Sequence, residues 1–263
     1  MLPSIQLFSA YYKPFPLMPQ VNYVTPVQAG AALADIHLPM QGDDTGDNIS
    51  QLNRFYSELT VAYWVYKNAD RSVADAWGLV HYRRYLITPR YRWFYQLRSR
   101  YYCRTSQEKL NSLLTEELYL FLQQQLTNND VLIQKPIWAK KEGRKVYNIR
   151  DAYYADHIGN DYDVTMQVVK ELYPEYATSI EAYSKTYLLC FNNVMIARWD
   201  VWDAYLDFLF KVLGEVTNRI DIYKEGYQTR VFGFLAERLQ NLFIYHNQLK
   251  AGHLTLGLFE DKL

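Results

Sequence analysis

Apolar residues along this chain follow two rhythms that alternate. SIQLFSAYY near the N-terminus and NYVTPVQAG after it are short, mostly apolar runs of strand character. A polar loop with two glycines, MQGDDTGDNI at 40–49, separates them from SQLNRFYSELTVAYWVYKNA. There Leu52, Tyr56, Leu59, Tyr63 and Tyr66 recur at spacings of three and four, which predicts one helix capped by Ser50 or Asn48. AWGLVHY, between charged flanks, predicts a further strand. The leucines at 110, 113, 114, 118, 120 and 122 predict a helix over 105–127, and DVLIQKP a strand stopped by its proline. From Arg150 to Tyr183 a polar helical pattern is broken at Gly159 and Pro174. TYLLCFNNVMIAR reads as a strand interrupted by two asparagines. WDVWDAYLDFLFKVLGEV and YQTRVFGFLAERLQNLFIYHN read as amphipathic helices, the second closing the domain.

Strands alternating with helices predict an α/β fold, with a mostly parallel central sheet flanked by helices. No repeat or linker divides the chain, so residues 1–263 are expected to form a single domain. One stretch departs from the pattern. RRYLITPRYRWFYQLRSRYYCR, Arg83–Arg104, holds seven arginines and no acid, interleaved with Tyr, Trp and Phe. It marks a basic aromatic insertion around 85–106.

Composition changes this picture only in places. The 28 basic and 28 acidic residues cancel, which argues against a general nucleic-acid coat protein, so no nucleic acid is expected as a partner. Tyrosine is abundant, at 25 residues, and its flat ring with a polar tip suits sugar or base stacking as well as wet packing. Cys103 and Cys190 are far apart and give neither a disulfide framework nor a zinc ribbon. The N-terminus lacks the charged leader and long apolar run of a signal peptide, and no window reaches the roughly 20 apolar residues of a membrane span. The expected compartment is the cytoplasm.

Several groupings carry candidate chemistry. WGLVHYRRYL drives an apolar strand into His81, Tyr82, Arg83 and Arg84. In open α/β sheets ligands bind beyond the carboxyl ends of strands. Paired guanidinium forks there match a pyrophosphate, or else form a surface turn paired with distant carboxylates. In GDDTGDNIS, Asp43, Asp44 and Asp47 suit a divalent cation or a ribose hydroxyl, or a solvated turn with helix-capping acids. The alternation of an EF-hand is absent. In YQTRVFGFLAER, Arg230 and Glu237 lie seven residues apart and share a helix face, as an acid/base pair or as a structural ion pair. Asn192 and Asn193 stand inside apolar sequence and need partners, a sugar or a second strand. His157 could touch a phosphate or an acceptor, or simply pack. Walker, GxGxxG, HExxH and GxSxG motifs are all missing.

Taken together and in order, PVQAGAAL, DDTGDNIS, NxxYSELTxxYW, GLVHYRRYL, FNNVMI and YQTRVFGFLAERL resemble a family of uncharacterised domains associated with capsular and exopolysaccharide glycosyltransferases. The similarity runs roughly from residue 5 to 245 and is poorer between 87 and 106. It implies a GT-A-like, Rossmann-like fold and a nucleotide-sugar donor: a UDP-hexose, with UDP-galactofuranose a further candidate since some members are linked to galactofuranose. Asp44, Thr45, Gly46, Asp47, Asn48, Tyr56, Glu58, His81, Tyr82, Arg83, Arg84, Asn193, Arg230, Gly233, Glu237 and Arg238 fall on its motif positions.

GT-A enzymes usually place a metal-binding D-x-D where this chain has arginines. The resemblance therefore implies that Arg83 and Arg84 stabilise the leaving diphosphate without a metal. Mn²⁺ or Mg²⁺ held by Asp43, Asp44 and Asp47 is the alternative. His81, Tyr82, Asp44, Asn48 and Arg230 would complete the donor site. Glu237, then Asp47, is the expected base. Asn192, Asn193, His157 and Tyr227 would meet a lipid-linked or oligosaccharide acceptor, and the basic aromatic insertion an anionic membrane surface, placing the protein peripherally on the inner face of the cell membrane. The competing readings are a non-catalytic RNA or single-stranded-DNA binder and an assembly scaffold.

Overall fold

The computed structural model describes residues 1–88, 98–141, 145–222 and 225–260. The first strands follow the sequence pattern. β1 (Ile5–Tyr11) runs parallel to β2 (Val24–Gln28) on one side, which β3 (Gln41–Gly42) extends, and to β4 (Ala76–His81) on the other. Side chains alternate across this sheet. Phe8 and Ala10 of β1 join one core cluster, with Val27 and Trp77, while Ile5 and Leu7 join a second, with Val24 and Val80. On the first face the indole of Trp202 stacks on that of Trp77 at 3.9 Å and donates to the Trp77 carbonyl at 2.8 Å.

Beyond β4 the expected open parallel sheet does not continue. A tight turn at Tyr82–Arg83 sends the chain back as β5 (Arg84–Ile87), antiparallel to β4. β6 (Arg100–Arg104) follows residues 89–97, which lie outside the described part. Two strands therefore fall within the expected insertion: β5, which buries Tyr85, Leu86 and Ile87, and β6, which buries Cys103. β7 (Val131–Gln134) stands where expected. Short β8 (Ile137–Trp138), β9 (Lys140–Lys141) and β10 (Lys145–Val146) come next. β11 (Leu188–Leu189) pairs β8, and β12 (Met195–Arg198) lies antiparallel to both β4 and β7. The last strand, β13 (Ala251–Glu260), is antiparallel to β5 and runs parallel first to β7 and then to β6. Strands β4, β12, β7, β13 and β5 thus close on one another in a mixed, mostly antiparallel barrel, and only the β7–β13 seam in the ring is parallel. The Rossmann-like, mostly parallel GT-A-like sheet expected from the sequence is overturned by this closure.

The physical reason lies in the two strands that the sequence reading passed over. β13 carries Leu254, Leu256 and Leu258 at a spacing of two, and Leu256 is fully buried. β5 buries Tyr85, Leu86 and Ile87. Their unpaired backbone groups need partners. Inserting both between β4 and β7 satisfies those groups and closes the ring.

The helices conform more closely. The polar stretch divides into Ile149–Asp156, Gly159–Leu172 and Ala177–Ser184, breaking at Gly159 and before Pro174. Trp199–Thr217 and Val231–His246 are the two long helices. The helix expected over 50–69 is broken instead. A 3₁₀ turn (Ser50–Leu52) leads into Asn53–Tyr56, and a second helix runs from Leu59 to Asn68. Between them Ser57 takes φ 52°, where a non-glycine residue is uncommon.

Candidate functional site

The parallel part of the sheet ends at one edge, where Ala10 of β1, Tyr12 just after it, Ala29 after β2 and His81 of β4 open a cleft of about 310 Å³. The β4–β5 turn adds Tyr82, Arg83 and Arg84, the broken helix adds Asn53, Arg54, Ser57 and Glu58, and the approach to the last helix adds Arg230. The cleft thus lies beyond the carboxyl ends of this local parallel unit, where ligands bind in open α/β sheets, although the neighbouring strands close into a barrel.

Charge in the cleft is one-sided: four arginines line it against a single carboxylate, Glu58. Arg84 lies largely buried, and burial pulls its pKa down while Glu58 and Glu237 pull it up. Its Nη1 donates to His81 Nδ1 at 3.3 Å, and its buried Nε has no partner within the protein. Because a guanidinium only donates, His81 accepts on Nδ1 and carries its proton on Nε2. That Nε2 faces Glu58 Oε1 at 3.9 Å. Burial, against the pull of Glu58, drops the His81 pKa to about 4, so the ring is neutral at pH 7.

Glu58 is the centre of this arrangement. Asn193 donates from Nδ2 to Glu58 Oε1 at 2.7 Å and to the Gly233 carbonyl at 3.0 Å. Arg230 Nη2 lies 3.8 Å from Glu58 Oε2, while its Nε donates to Ser57 Oγ at 2.9 Å. Burial raises the Glu58 pKa, but His81, Asn193 and Arg230 together outweigh it, and the carboxyl sits below its ordinary value. Ser57, at positive φ, breaks the helix immediately before Glu58. Asn192 and Asn193 also take positive φ, 78° and 50°, conformations that asparagine tolerates better than most residues.

The chain matches a family described as a domain of unknown function over residues 6–248. It belongs to the DUF4422 family. No curated protein matches it. Among solved structures it is similar to the apo WbbM bifunctional glycosyltransferase, with a TM-score of 0.86 and 29% identity over 98% of this chain. The match covers 45% of that protein's chain, so this DUF4422 domain spans less than half its length.

The remaining expected site residues of the DUF4422 chain stand around the cleft or away from it. Glu237 is held just behind it: Oε1 accepts from the Asn192 backbone N–H at 2.7 Å, and Oε2 from Arg238 Nη1 at 2.7 Å. Burial raises its pKa against the pull of Arg238. The two carboxyls are thus pushed in opposite directions, Glu58 down and Glu237 up. Asn192 donates from Nδ2 to Gln134 Oε1 at 2.9 Å, bridging toward β7. His157 stacks on Phe234 at 4.1 Å, beside exposed Tyr227. Since Arg230 lies over Phe234 at 5.7 Å, this ring cluster flanks the cleft without lining it.

The acidic loop points elsewhere. Asp43 is fully buried and accepts from the Gly30 and Ala31 backbone N–H groups and from Ser50 Oγ. Asp47 accepts from Tyr63 Oη at 3.1 Å, and Asn48 accepts from the Ser50 N–H. Asp44 is exposed outside the cleft. Among the described residues no three His, Cys, Asp or Glu side chains form a group able to hold a metal ion, and Asp43, Asp44 and Asp47 do not make one. Among those residues, too, no helix is long and apolar enough to cross a membrane.

Sequence reasoning did not assign a role to Glu58 and passed over Tyr12, Asn53, Arg54 and Ser57. The YSELT motif held the signal: a polar Ser-Glu pair interrupting an apolar helical stripe marks a break as readily as a polar face.

Proposed function

We propose that this domain is a glycosyltransferase that takes a sugar from a nucleoside-diphosphate donor, a UDP-hexose in the first instance, to a saccharide acceptor of surface-polysaccharide assembly. The observation that carries the reading is the cleft of four arginines around one carboxylate, with a buried guanidinium whose Nε is unspent. Charge of that kind calls for an anion from outside, and a departing diphosphate supplies it. The likeness to a bifunctional glycosyltransferase over nearly the whole chain supports the same class.

In this reading Arg83 and Arg84 neutralise the charge that develops on the diphosphate as the glycosidic bond breaks, aided by Arg54 and Arg230. The aspartates proposed for Mn²⁺ or Mg²⁺ do not fit an ion, because Asp43 is spent on backbone N–H groups and Asp47 on Tyr63. No step is therefore routed through a metal. Glu58 is the carboxylate at the cleft and takes the proton of the acceptor hydroxyl. The diphosphate offsets the field of the arginines and so raises the Glu58 pKa toward the working range of a base. Glu237, ion-paired to Arg238 and bonded to the Asn192 N–H, holds the Asn192–Asn193 turn that positions Glu58. Tyr227 and His157 offer ring faces at the flank for the acceptor. A lipid-linked acceptor would bring the domain to an anionic membrane face; the basic aromatic stretch around 85–106 expected to meet it falls in part outside the described residues.

The test is release of UDP from UDP-hexoses in the presence of EDTA. Turnover is expected to survive the chelator, and Arg84→Ala to lower kcat by about 10²–10³-fold. Loss of activity in EDTA with rescue by Mn²⁺ would overturn the arginine mechanism. Failure to turn over or bind any nucleotide sugar would overturn the assignment itself.

A further inference from the structure

A second cavity adjoins the arginine cleft, and the proposed chemistry leaves it unused. It is a groove of about 470 Å³ that shares Tyr12, Ala29, Asn53 and Arg54 with the cleft. Its character differs from that of its neighbour. Tyr12, Pro14, Leu33 and Ile36 form apolar walls, and Lys13 and Asp35 are the charged side chains added to the shared Arg54. Three of these apolar side chains are strongly solvent-exposed for their type: Leu33 at 71%, Ile36 at 60% and Tyr12 at 59%. Large apolar groups exposed along one depression mark a binding surface more often than chance.

The groove is built, not incidental. Its floor is the segment after β2, part of the PVQAGAAL motif, and the buried Asp43 carboxylate fixes that segment by accepting from the Gly30 and Ala31 N–H groups. Ser50 Oγ accepts from the Ala32 N–H as it donates to Asp43. Gly30 takes φ 69° and packs so closely on Asn53 that a Cβ there would come within 2.7 Å of Asn53 Cβ. The opposite wall is set by Tyr12, whose ring packs edge-on against Tyr82 of the arginine turn, with centroids 5.5 Å apart. One side chain thus borders both cavities and is tied to the turn that carries Arg83 and Arg84.

We infer that the groove between Tyr12 and the Leu33–Ile36 loop holds the nucleoside of the donor, its base stacked against Tyr12, while the diphosphate lies next door among the arginines. A strongly cationic cleft opening directly into a nearly charge-balanced apolar groove matches a molecule with a polyanionic middle and a flat ring at one end. Asp35 is placed to accept from ribose hydroxyls or base N–H groups. The inference rests on the arginine cleft binding a diphosphate, and the two fail differently.

The test is a set of binding titrations on the whole domain with inorganic pyrophosphate, UDP and GDP. UDP is expected to bind roughly 5- to 150-fold more tightly than pyrophosphate, the range that stacking a base on an aromatic ring supplies. Tyr12→Ala, which borders both cavities, should lower UDP affinity by more than it lowers pyrophosphate affinity and so shrink that advantage. Leu33→Ser, at an exposed position on the other wall, should reduce it as well and guards against a folding artefact at Tyr12. If neither UDP nor GDP binds more tightly than pyrophosphate, or if the advantage survives both substitutions, the nucleoside groove is refuted. If pyrophosphate itself does not bind, the diphosphate reading of the cleft falls, and the groove assignment falls with it.

Discussion

Glu58 holds together a set of unusual residues. It stands at a helix start directly after a serine of positive φ, and it accepts from an asparagine that itself has positive φ. The Glu58→Gln variant keeps the shape and the Asn193 contact but cannot take a proton. It is expected to lower kcat by about 10²–10⁴-fold while binding pyrophosphate at least as well as the native domain, since one negative charge leaves a cationic cleft. Equal loss of binding and turnover would assign Glu58 to positioning. The histidines carry a separate prediction. Burial holds His81 and His157 near pKa 4, below the ordinary 6.5. The unfolded chain then binds more protons than the folded one between these values. Their contribution to stability is complete above pH 6.5 and is lost as pH falls toward 4. Melting temperature should drop across that window, with a shallower slope in His157→Phe. The depressed Glu58 carboxyl adds to the loss at the acid end, and the raised Glu237 carboxyl opposes it.

Periodicity found most of the elements but not the breaks that make them useful. The spacing of Leu52, Tyr56, Leu59, Tyr63 and Tyr66 is compatible with one helix, and nothing in that pattern forces a turn at Ser57. The turn is stabilised from outside, by Arg230 on Ser57 Oγ and by Asn53 Nδ2 on the Ser57 carbonyl. Those partners are 173 and 4 residues away, so only one of them is local. The loop at 43–48 shows the same limit. Its acids read as metal ligands or as solvated caps, yet Asp43 is buried as the anchor of the segment after β2. Gly30→Ala should destabilise the domain by about 1–3 kcal/mol, because alanine at φ 69° is strained and its Cβ meets Asn53. Asp43→Ala should cost about 1–3 kcal/mol through loss of hydrogen bonds to a buried charge. Thermal melts of both variants check the pair, and added Mn²⁺ should leave the native melt unmoved.

At the scale of the whole molecule, β13 decides the architecture. It lies beyond the residues matched by the family, which end at 248, yet it joins β5, β6 and β7 and completes the ring. A chain ending at Leu249 is expected to lose cooperative unfolding by circular dichroism, since β5 and β7 would each lose their shared neighbour. Leu256→Ala, a milder change at a fully buried position, should cost about 2–5 kcal/mol. A truncated chain that melts like the full one would show the barrel to be dispensable.

Read alone, the sequence determined the α/β class, most helices, strands β1, β2, β4, β7 and β12, and the gathering of His81, Tyr82, Arg83 and Arg84 at a strand end. Those features are encoded locally, in apolar period and in runs of charge. Only the tertiary structure decided that the sheet closes, that Arg54 joins the cleft where Arg230 was expected, and that Glu58 lies within it. Closure depends on which backbone edges find partners across the chain. A cleft depends on side chains brought together from segments far apart in sequence, and no local pattern records either.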